Sequence, residues 1–195
     1  MSWRGAVVAM LACVSLVVTG CATGKGTSAG ARAKFALRVN AGSAEAYTDK
    51  AGHVWQGEKE YAKGGGFGFV VGQSVDRGKD MKIEATEDAR IYQTEHYAMT
   101  GFKAEVPNGK YTVRLHFAET NSKLSKTPGG RVFEVAIQGK VVLPDFEVLK
   151  AAAGAGYKAV VKEFKGIEVT NGLLDIGFAA KVQNPEINGI EILGE

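Results

Sequence analysis

The segment Arg90–Tyr97 has the composition of a surface that could bind a sugar. Its sequence, RIYQTEHY, combines two tyrosines, a histidine, an arginine and a carboxylate in a chain that is only 9% aromatic. Flat aromatic rings cover the apolar C–H patches of a sugar, and nearby polar groups hydrogen-bond its hydroxyls. Because core strands also carry tyrosines, the rest of the chain has to separate these two interpretations.

A catalytic interpretation has little support in the sequence. Glu95 and Glu119 are the candidate carboxylate pair of a glycosidase, which would hold them about 5–10 Å apart across a cleft. The chain has no nucleophile elbow, phosphate-binding loop or metal-hydrolase motif. His53, His96 and His116 stand at no short ligand spacing from another histidine or a cysteine, so we expect them at the surface. We therefore predict a binding protein, not an enzyme, without a cofactor.

Composition limits the partners further. The formal net charge of +3 is scattered, with no basic run of the kind that nucleic-acid-binding proteins carry, so no nucleic-acid partner is expected. A length of 195 residues fits one domain, with or without a leader.

The first residues resemble a bacterial lipoprotein signal. Arg4 precedes an uncharged apolar segment, residues 6–19, which is too short for a comfortable transmembrane helix. The sequence LVVTGC then ends at Cys21 like a lipobox, which predicts cleavage after residue 20 and lipidation of Cys21. The alternative is an ordinary signal peptide with an incidental cysteine. Ala22 in place of aspartate favours, by resemblance to Gram-negative lipoproteins, anchoring in the outer membrane.

The predicted organisation has three parts. Residues 1–20 form the signal peptide, and residues 21–33, rich in Gly, Ser, Thr and Ala, form a flexible lipid-anchored tether. Residues 34–195 form the folded domain.

That domain shows the alternation of β-strands. Short apolar-alternating stretches are separated by turn residues, and the only helical stretch is residues 146–153. Residues 102–106 and 111–117, joined by Pro-Asn-Gly-Lys, predict a hairpin. We predict an all-β sandwich with at most one or two short helices.

An ordered set of motifs in this domain resembles the malectin domain family, a carbohydrate-binding module built as a jelly-roll, galactose-binding-like β-sandwich. The motifs are VNAG at 39–42, DxxGxxWxxE at 49–58, YQTE at 92–95, FAE at 117–119, RVFEV at 131–135 and NPEINGI at 184–190. The resemblance covers residues 35–193 and implies a non-catalytic sugar site on loops at one edge of the sandwich.

The resemblance also implies which residues hold the sugar. Trp55 and Tyr92 match two family aromatics, although Trp55 is equally suited to the core. Asn121 and Ser122 replace an aromatic pair, and Gln183 replaces an aspartate. The predicted carbohydrate-binding residues are Trp55, Tyr92, Glu95, Asn121, Gln183 and Asn184. His96 and Tyr97 are expected to be framework.

Two functions follow from these sequence features. The first is a lipoprotein, anchored to the cell envelope through Cys21, that binds a glucan or another glycan. The second is a protein-interaction or scaffolding lipoprotein that has kept the sandwich and lost the sugar site. Sandwiches of this kind can carry a structural calcium ion, for which the sequence assigns no ligands.

Overall fold

The apolar-alternating stretches form β-strands in the computed structural model, which describes residues 34–195. The strands in this part of the chain are β1 (Ala36–Asn40), β2 (Tyr47–Thr48), β3 (Val54–Gly57), β4 (Phe67–Val70), β5 (Gln73–Asp76), β6 (Thr94–Tyr97), β7 (Gly101–Glu105), β8 (Gly109–Phe117), β9 (Val132–Ile137), β10 (Lys140–Phe146), β11 (Val160–Val169), β12 (Leu173–Val182), β13 (Glu186–Ile187) and β14 (Gly189–Gly194). The helices are α1 (Ala89–Tyr92), α2 (Val148–Ala151) and a 3₁₀ turn (Leu124–Lys126).

Two large sheets make the sandwich. One has the order β11-β8-β14-β1-β3-β2 and the other β10-β9-β12-β7-β4, while β13, β6 and β5 form a small third sheet. The prediction of an all-β sandwich with at most one or two short helices is confirmed for the described residues, which contain two short α-helices beside the 3₁₀ turn.

The core lies between the two large sheets because alternate residues on each strand point inward. Val113, Leu115 and Phe117 of β8 are fully buried, as are Phe133 and Val135 of β9. Each large apolar side chain buried in this way contributes about 1.5–3 kcal/mol. A second, smaller apolar cluster forms beside the main core and consists of Trp55, Ile83, Ile91, Tyr92 and Ala118.

The predicted hairpin of residues 102–117 is wrong. Strand β7 pairs with β4 and β12 in one sheet, whereas β8 pairs with β11 and β14 in the other. Neither Asn108 nor Gly109 has the positive φ of a tight hairpin turn. The Asn108 side chain instead accepts a hydrogen bond from the Gly172 amide at 2.8 Å. The segment therefore crosses between sheets and does not reverse within one.

Residues 138–140, in contrast, do join a hairpin. Gln138 and Gly139 have φ angles of 50° and 73°, and β9 pairs with β10 on either side of them. No helix among residues 34–195 is long and apolar enough to cross a membrane. The predicted signal peptide, tether and lipidation of Cys21 lie outside the described residues.

Candidate functional site

The small third sheet brings the polar motif residues to one face. In its central strand β6, Glu95 lies opposite Val75 and Tyr97 lies opposite Gln73. Residues two apart on a strand share a face, as do residues directly opposite each other. Tyr97, Glu95 and Val75 therefore point the same way. The Tyr97 hydroxyl donates to Gln73 Oε1 at 2.5 Å, which holds the ring in place.

This face forms one wall of a pocket of about 250 Å³, which we call the Tyr97 pocket. The residues lining it are Val75, Arg77, Glu95, Tyr97, Asn121, Leu124, Arg131, Gln183 and Asn184. Four of the six predicted sugar-binding residues are among them: Glu95, Asn121, Gln183 and Asn184. Tyr97, expected to be framework, is the aromatic residue that lines this pocket.

Buried ion pairs form the floor of the Tyr97 pocket. Glu95 accepts a hydrogen bond from Arg77 Nη2 at 2.6 Å and another from the Thr120 hydroxyl. Arg131 Nε donates to Glu119 Oε2 at 2.7 Å, and Arg131 Nη1 donates to the Asn184 carbonyl oxygen. Because Glu95, Glu119 and Arg131 are buried, these contacts fix the lining side chains before any ligand arrives.

Glu186 is a third carboxyl group under the same pocket. Glu186 is on β13, opposite Tyr97 of β6, and is 0% exposed. Neither of its side-chain oxygens has a hydrogen-bond partner in the described residues. Burial, reinforced by the charge of Glu95, raises the pKa of the Glu186 carboxyl well above its usual range, although Arg131 opposes the shift. Burial therefore favours the neutral form of Glu186.

Because the pKa of Glu186 is raised, we expect the effect of Glu186→Gln on stability to depend on pH. The folded pKa lies above the unfolded one, so the stability that Glu186 contributes falls as pH rises above the unfolded value, about 4.3. A glutamine keeps the shape but does not ionise in either state, so the variant should gain free energy of unfolding relative to wild type as pH rises from 4 to 8. Urea unfolding across that range measures it. The exposed Glu60→Gln variant should show no such trend, and a Glu186→Gln advantage that shrinks with pH would contradict the assignment.

Side-chain amides supply the hydrogen-bonding groups that remain open. Asn121 Oδ1 accepts from the backbone amides of Lys123 and Leu124 at 3.0 and 3.1 Å, so the amide is held rigidly. Within residues 34–195, no partner is found for Asn121 Nδ2 or for the side-chain amides of Gln183 and Asn184. Amides both donate and accept, which suits hydroxyl groups.

The predicted role of Trp55 as a ligand platform is wrong. The residue is 3% exposed and belongs to the smaller apolar cluster. Its Nε1 donates to Asp49 Oδ2 at 3.0 Å, and its ring meets His116 edge-on at 5.1 Å. The Trp55 ring is therefore packed in the protein interior and its Nε1 is already hydrogen-bonded, so neither is available to a ligand.

The predicted role of Tyr92 is wrong for a similar reason. Helix α1 turns Tyr92 into the same cluster, where it is 4% exposed and its hydroxyl lies 2.8 Å from His116 Nδ1. Burial raises the pKa of the Tyr92 hydroxyl above its usual range. His116 and His96 were expected at the surface but are buried; His53 is exposed.

The geometry suits recognition of a hydroxylated ligand, with one half-buried ring, the fixed amide of Asn121 and the exposed amides of Gln183 and Asn184 around a small concavity. The carboxylate of Glu95 forms an ion pair with Arg77, and that of Glu119 forms one with Arg131. Among residues 34–195, no group of three or more histidine, cysteine, aspartate or glutamate side chains is arranged to hold a metal ion.

Comparisons with known proteins support the family resemblance. The family model of the malectin domain matches residues 35–190. Mouse malectin is 31% identical over 111 residues, which cover 54% of this chain and 36% of malectin. A probable leucine-rich repeat receptor-like serine/threonine-protein kinase of Arabidopsis thaliana is 45% identical over 71 residues, covering 35% of this chain and 7% of the kinase.

Solved structures share the fold. A β-glucuronidase of Bacteroides uniformis superposes with a TM-score of 0.72 at 24% identity, over 83% of this chain and 18% of that one. The extracellular domain of ANXUR2 from Arabidopsis thaliana gives a TM-score of 0.68 at 18% identity, over 83% of this chain and 48% of that one. The matched part is less than half of each of these four proteins.

Proposed function

Since the chain belongs to the malectin domain family, we propose that it binds carbohydrate without catalysis, in the Tyr97 pocket. The ligand class is a glucan or another envelope or environmental glycan. The observation that carries this proposal is the convergence of Glu95, Asn121, Gln183 and Asn184 on one pocket beside the Tyr97 ring.

Each part of the pocket has a task in sugar binding. Tyr97 provides the flat surface for the C–H groups of a sugar ring. The amides of Asn121, Gln183 and Asn184 donate to and accept from hydroxyls. Glu95 is fixed by Arg77 and Thr120, so the wall loses little conformational entropy when a ligand binds.

The buried ion pairs support a binding role over hydrolysis. A glycosidase needs one carboxyl group free to donate a proton and another free to attack or to activate water. Here Glu95 is bound to Arg77, and Glu119 is bound to Arg131. We therefore expect the bound glycan to be recovered intact after prolonged incubation with the protein.

A glycan array tests the proposal, with Tyr97→Ala and Tyr97→Phe as a matched pair. Alanine removes the ring, and affinity should fall at least about tenfold, which corresponds to about 1.4 kcal/mol. Phenylalanine keeps the ring and loses only the bond to Gln73, so affinity should stay within about threefold of wild type, a difference of under about 0.7 kcal/mol. Equal binding by wild type and Tyr97→Ala would move the site elsewhere.

The scaffolding alternative would be favoured by a different outcome. If no glycan on the array binds, and a protein partner is recovered from the envelope fraction, the sugar-binding proposal fails.

We also propose that the protein is exported and anchored to the cell envelope, in the outer membrane, by lipid on Cys21. Support comes from the order of Arg4, the apolar segment and the lipobox-like LVVTGC. Cys21→Ser should move the protein from the membrane fraction to the soluble fraction, because lipid would be its anchor. Cys13→Ser, inside the predicted signal, is the control and should stay in the membrane fraction. Retention of Cys21→Ser in the membrane would contradict lipidation.

A further inference from the structure

A second pocket lies beside β1 and β2, and we propose that it is a separate binding site for a small neutral saccharide. This pocket, the Tyr47 pocket, has a volume of about 380 Å³. That falls in the range of about 300–1,000 Å³ typical of small-molecule sites. Its lining includes Asn40, Ser43, Glu45, Tyr47, Lys79 and Gln93.

The Tyr47 pocket shares no lining residue with the Tyr97 pocket. Gln93 and Lys79 line the Tyr47 pocket, while Glu95 and Arg77, each two residues away, line the Tyr97 pocket. The inference goes beyond the proposed function, because it concerns a different set of side chains.

Two buried amides supply a fixed donor and a fixed acceptor. Asn40 is 1% exposed; its Oδ1 accepts from the Thr94 hydroxyl at 3.1 Å, and its Nδ2 has no acceptor in the described residues. Gln93 is 5% exposed, and its Nε2 donates to the carbonyl oxygens of Lys79 and Met81 at 2.9 and 2.8 Å. Gln93 Oε1 is left as an acceptor. A ligand hydroxyl, which both donates and accepts, can bond to both of these atoms.

The Tyr47 ring supplies an apolar wall. It packs against the cluster that contains Trp55 and Tyr92, and its hydroxyl donates to Asp88 Oδ1 at 3.0 Å. The ring is half-buried and held at both ends, so little freedom is lost when a sugar ring stacks on it. The two aromatics expected to touch a sugar thus lie behind the aromatic that lines this pocket.

The charges around the Tyr47 pocket favour a neutral ligand. Arg90 also lines it, but its guanidinium forms two hydrogen bonds with the Asp76 carboxylate, at 2.9 and 2.7 Å. Glu45 and Lys79 are exposed and of opposite sign. Since neither sign dominates, the pocket gives no electrostatic preference to an anion or a cation. A mixture of donors, acceptors and one ring is the environment that a neutral polyhydroxylated ligand requires.

The test is a titration of the full chain with maltose, cellobiose and lactose, followed by NMR of the side-chain amides. At least one sugar should shift the Asn40 and Gln93 amide signals saturably. Ala46→Trp places an indole at an exposed lining position and should weaken that event at least tenfold, while leaving any event at Asn121 and Gln183 unchanged. Tyr97→Ala should weaken any event at Asn121 and Gln183 and leave the event at Asn40 and Gln93 unchanged.

Two results would overturn the inference. One is the absence of any shift at Asn40 and Gln93 with all three sugars at millimolar concentration. The other is unchanged affinity at these signals in both Ala46→Trp and a second variant, Lys79→Ala. Shifts at Asn121 and Gln183 without shifts at Asn40 would overturn this second site and leave the proposed function standing.

Discussion

Replacing Gly42 by alanine should lower the free energy of unfolding by about 4 kcal/mol or more, the range in which single substitutions are exceptional. A Cβ at this position would lie 2.3 Å from the Glu95 backbone nitrogen and 2.4 Å from its carbonyl oxygen. The φ of +82° adds the strain of a left-handed conformation. Backbone cannot yield as a flexible side chain does, so β6 must shift, carrying Glu95 and Tyr97 with it. Chemical denaturation gives the stability, and glycan affinity should fall in parallel.

Gly52→Ala separates the effect of the steric contact with Glu95 from the effect of the positive φ. Gly52 has nearly the same φ, +84°, but a Cβ there would meet nothing within 4 Å. This variant should lose only the left-handed penalty of about 1–2 kcal/mol. Equal losses at the two glycines would show that the contact with Glu95 does not govern stability.

Replacing Arg131 by alanine should cost about 3–5 kcal/mol, the usual effect of breaking a buried ion pair. Glu119 would remain buried without its charged partner, and the Asn184 carbonyl oxygen would lose its donor. Because Asn184 and Arg131 both line the Tyr97 pocket, glycan affinity should fall as well. Urea unfolding measures the first effect and calorimetric titration the second.

Lys181→Ala is the control for Arg131→Ala. Lys181 Nζ lies 2.7 Å from Asp145 Oδ1, and both side chains are well exposed to solvent. An exposed pair of this kind contributes little to stability, because solvent screens the two charges. If Arg131→Ala cost no more than Lys181→Ala, the buried charges would not be what stabilises the pocket.

The sandwich could be predicted from sequence because its signals are local. Alternation along β9 and β12 gives one buried residue in two for much of each strand, and turn residues mark the ends. The partners of each strand are set by contacts distant in sequence. The Pro-Asn-Gly-Lys segment has the composition of a hairpin turn, yet β7 and β8 enter different sheets because each buries its apolar face from the opposite side of the core.

The polar half of the site could be predicted because Glu95 and Asn184 belong to ordered motifs that the family shares, while Asn121 and Gln183 stand beside such motifs at positions that bind sugar in the family. The prediction for Tyr92 is wrong because of one feature of the local structure. Helix α1 ends at Tyr92 and β6 begins at Thr94, so the backbone changes from helix to strand between them. The Tyr92 side chain therefore does not lie on the face of β6 that carries Tyr97. The spacing of Glu95 and Tyr97, two apart on a strand, was the signal that could have identified Tyr97.

Arg77 and Arg131 were missed for a different reason. Neither stands near the glutamate that it pairs with in sequence: 18 residues separate Arg77 from Glu95, and 12 separate Arg131 from Glu119. Only the folded sheet brings them together. Arg131 begins the RVFEV motif, but neither this motif nor the sequence around Arg77 shows which carboxylate the arginine will meet in the fold.

The most direct test of sugar binding in the Tyr97 pocket is an NMR titration of the wild-type protein with the strongest glycan from the array. The side-chain amide signals of Asn121, Gln183 and Asn184 should shift together and saturate at one dissociation constant, and Tyr97→Ala should weaken that constant at least about tenfold. Saturable binding that leaves all three amide signals unmoved would contradict the account.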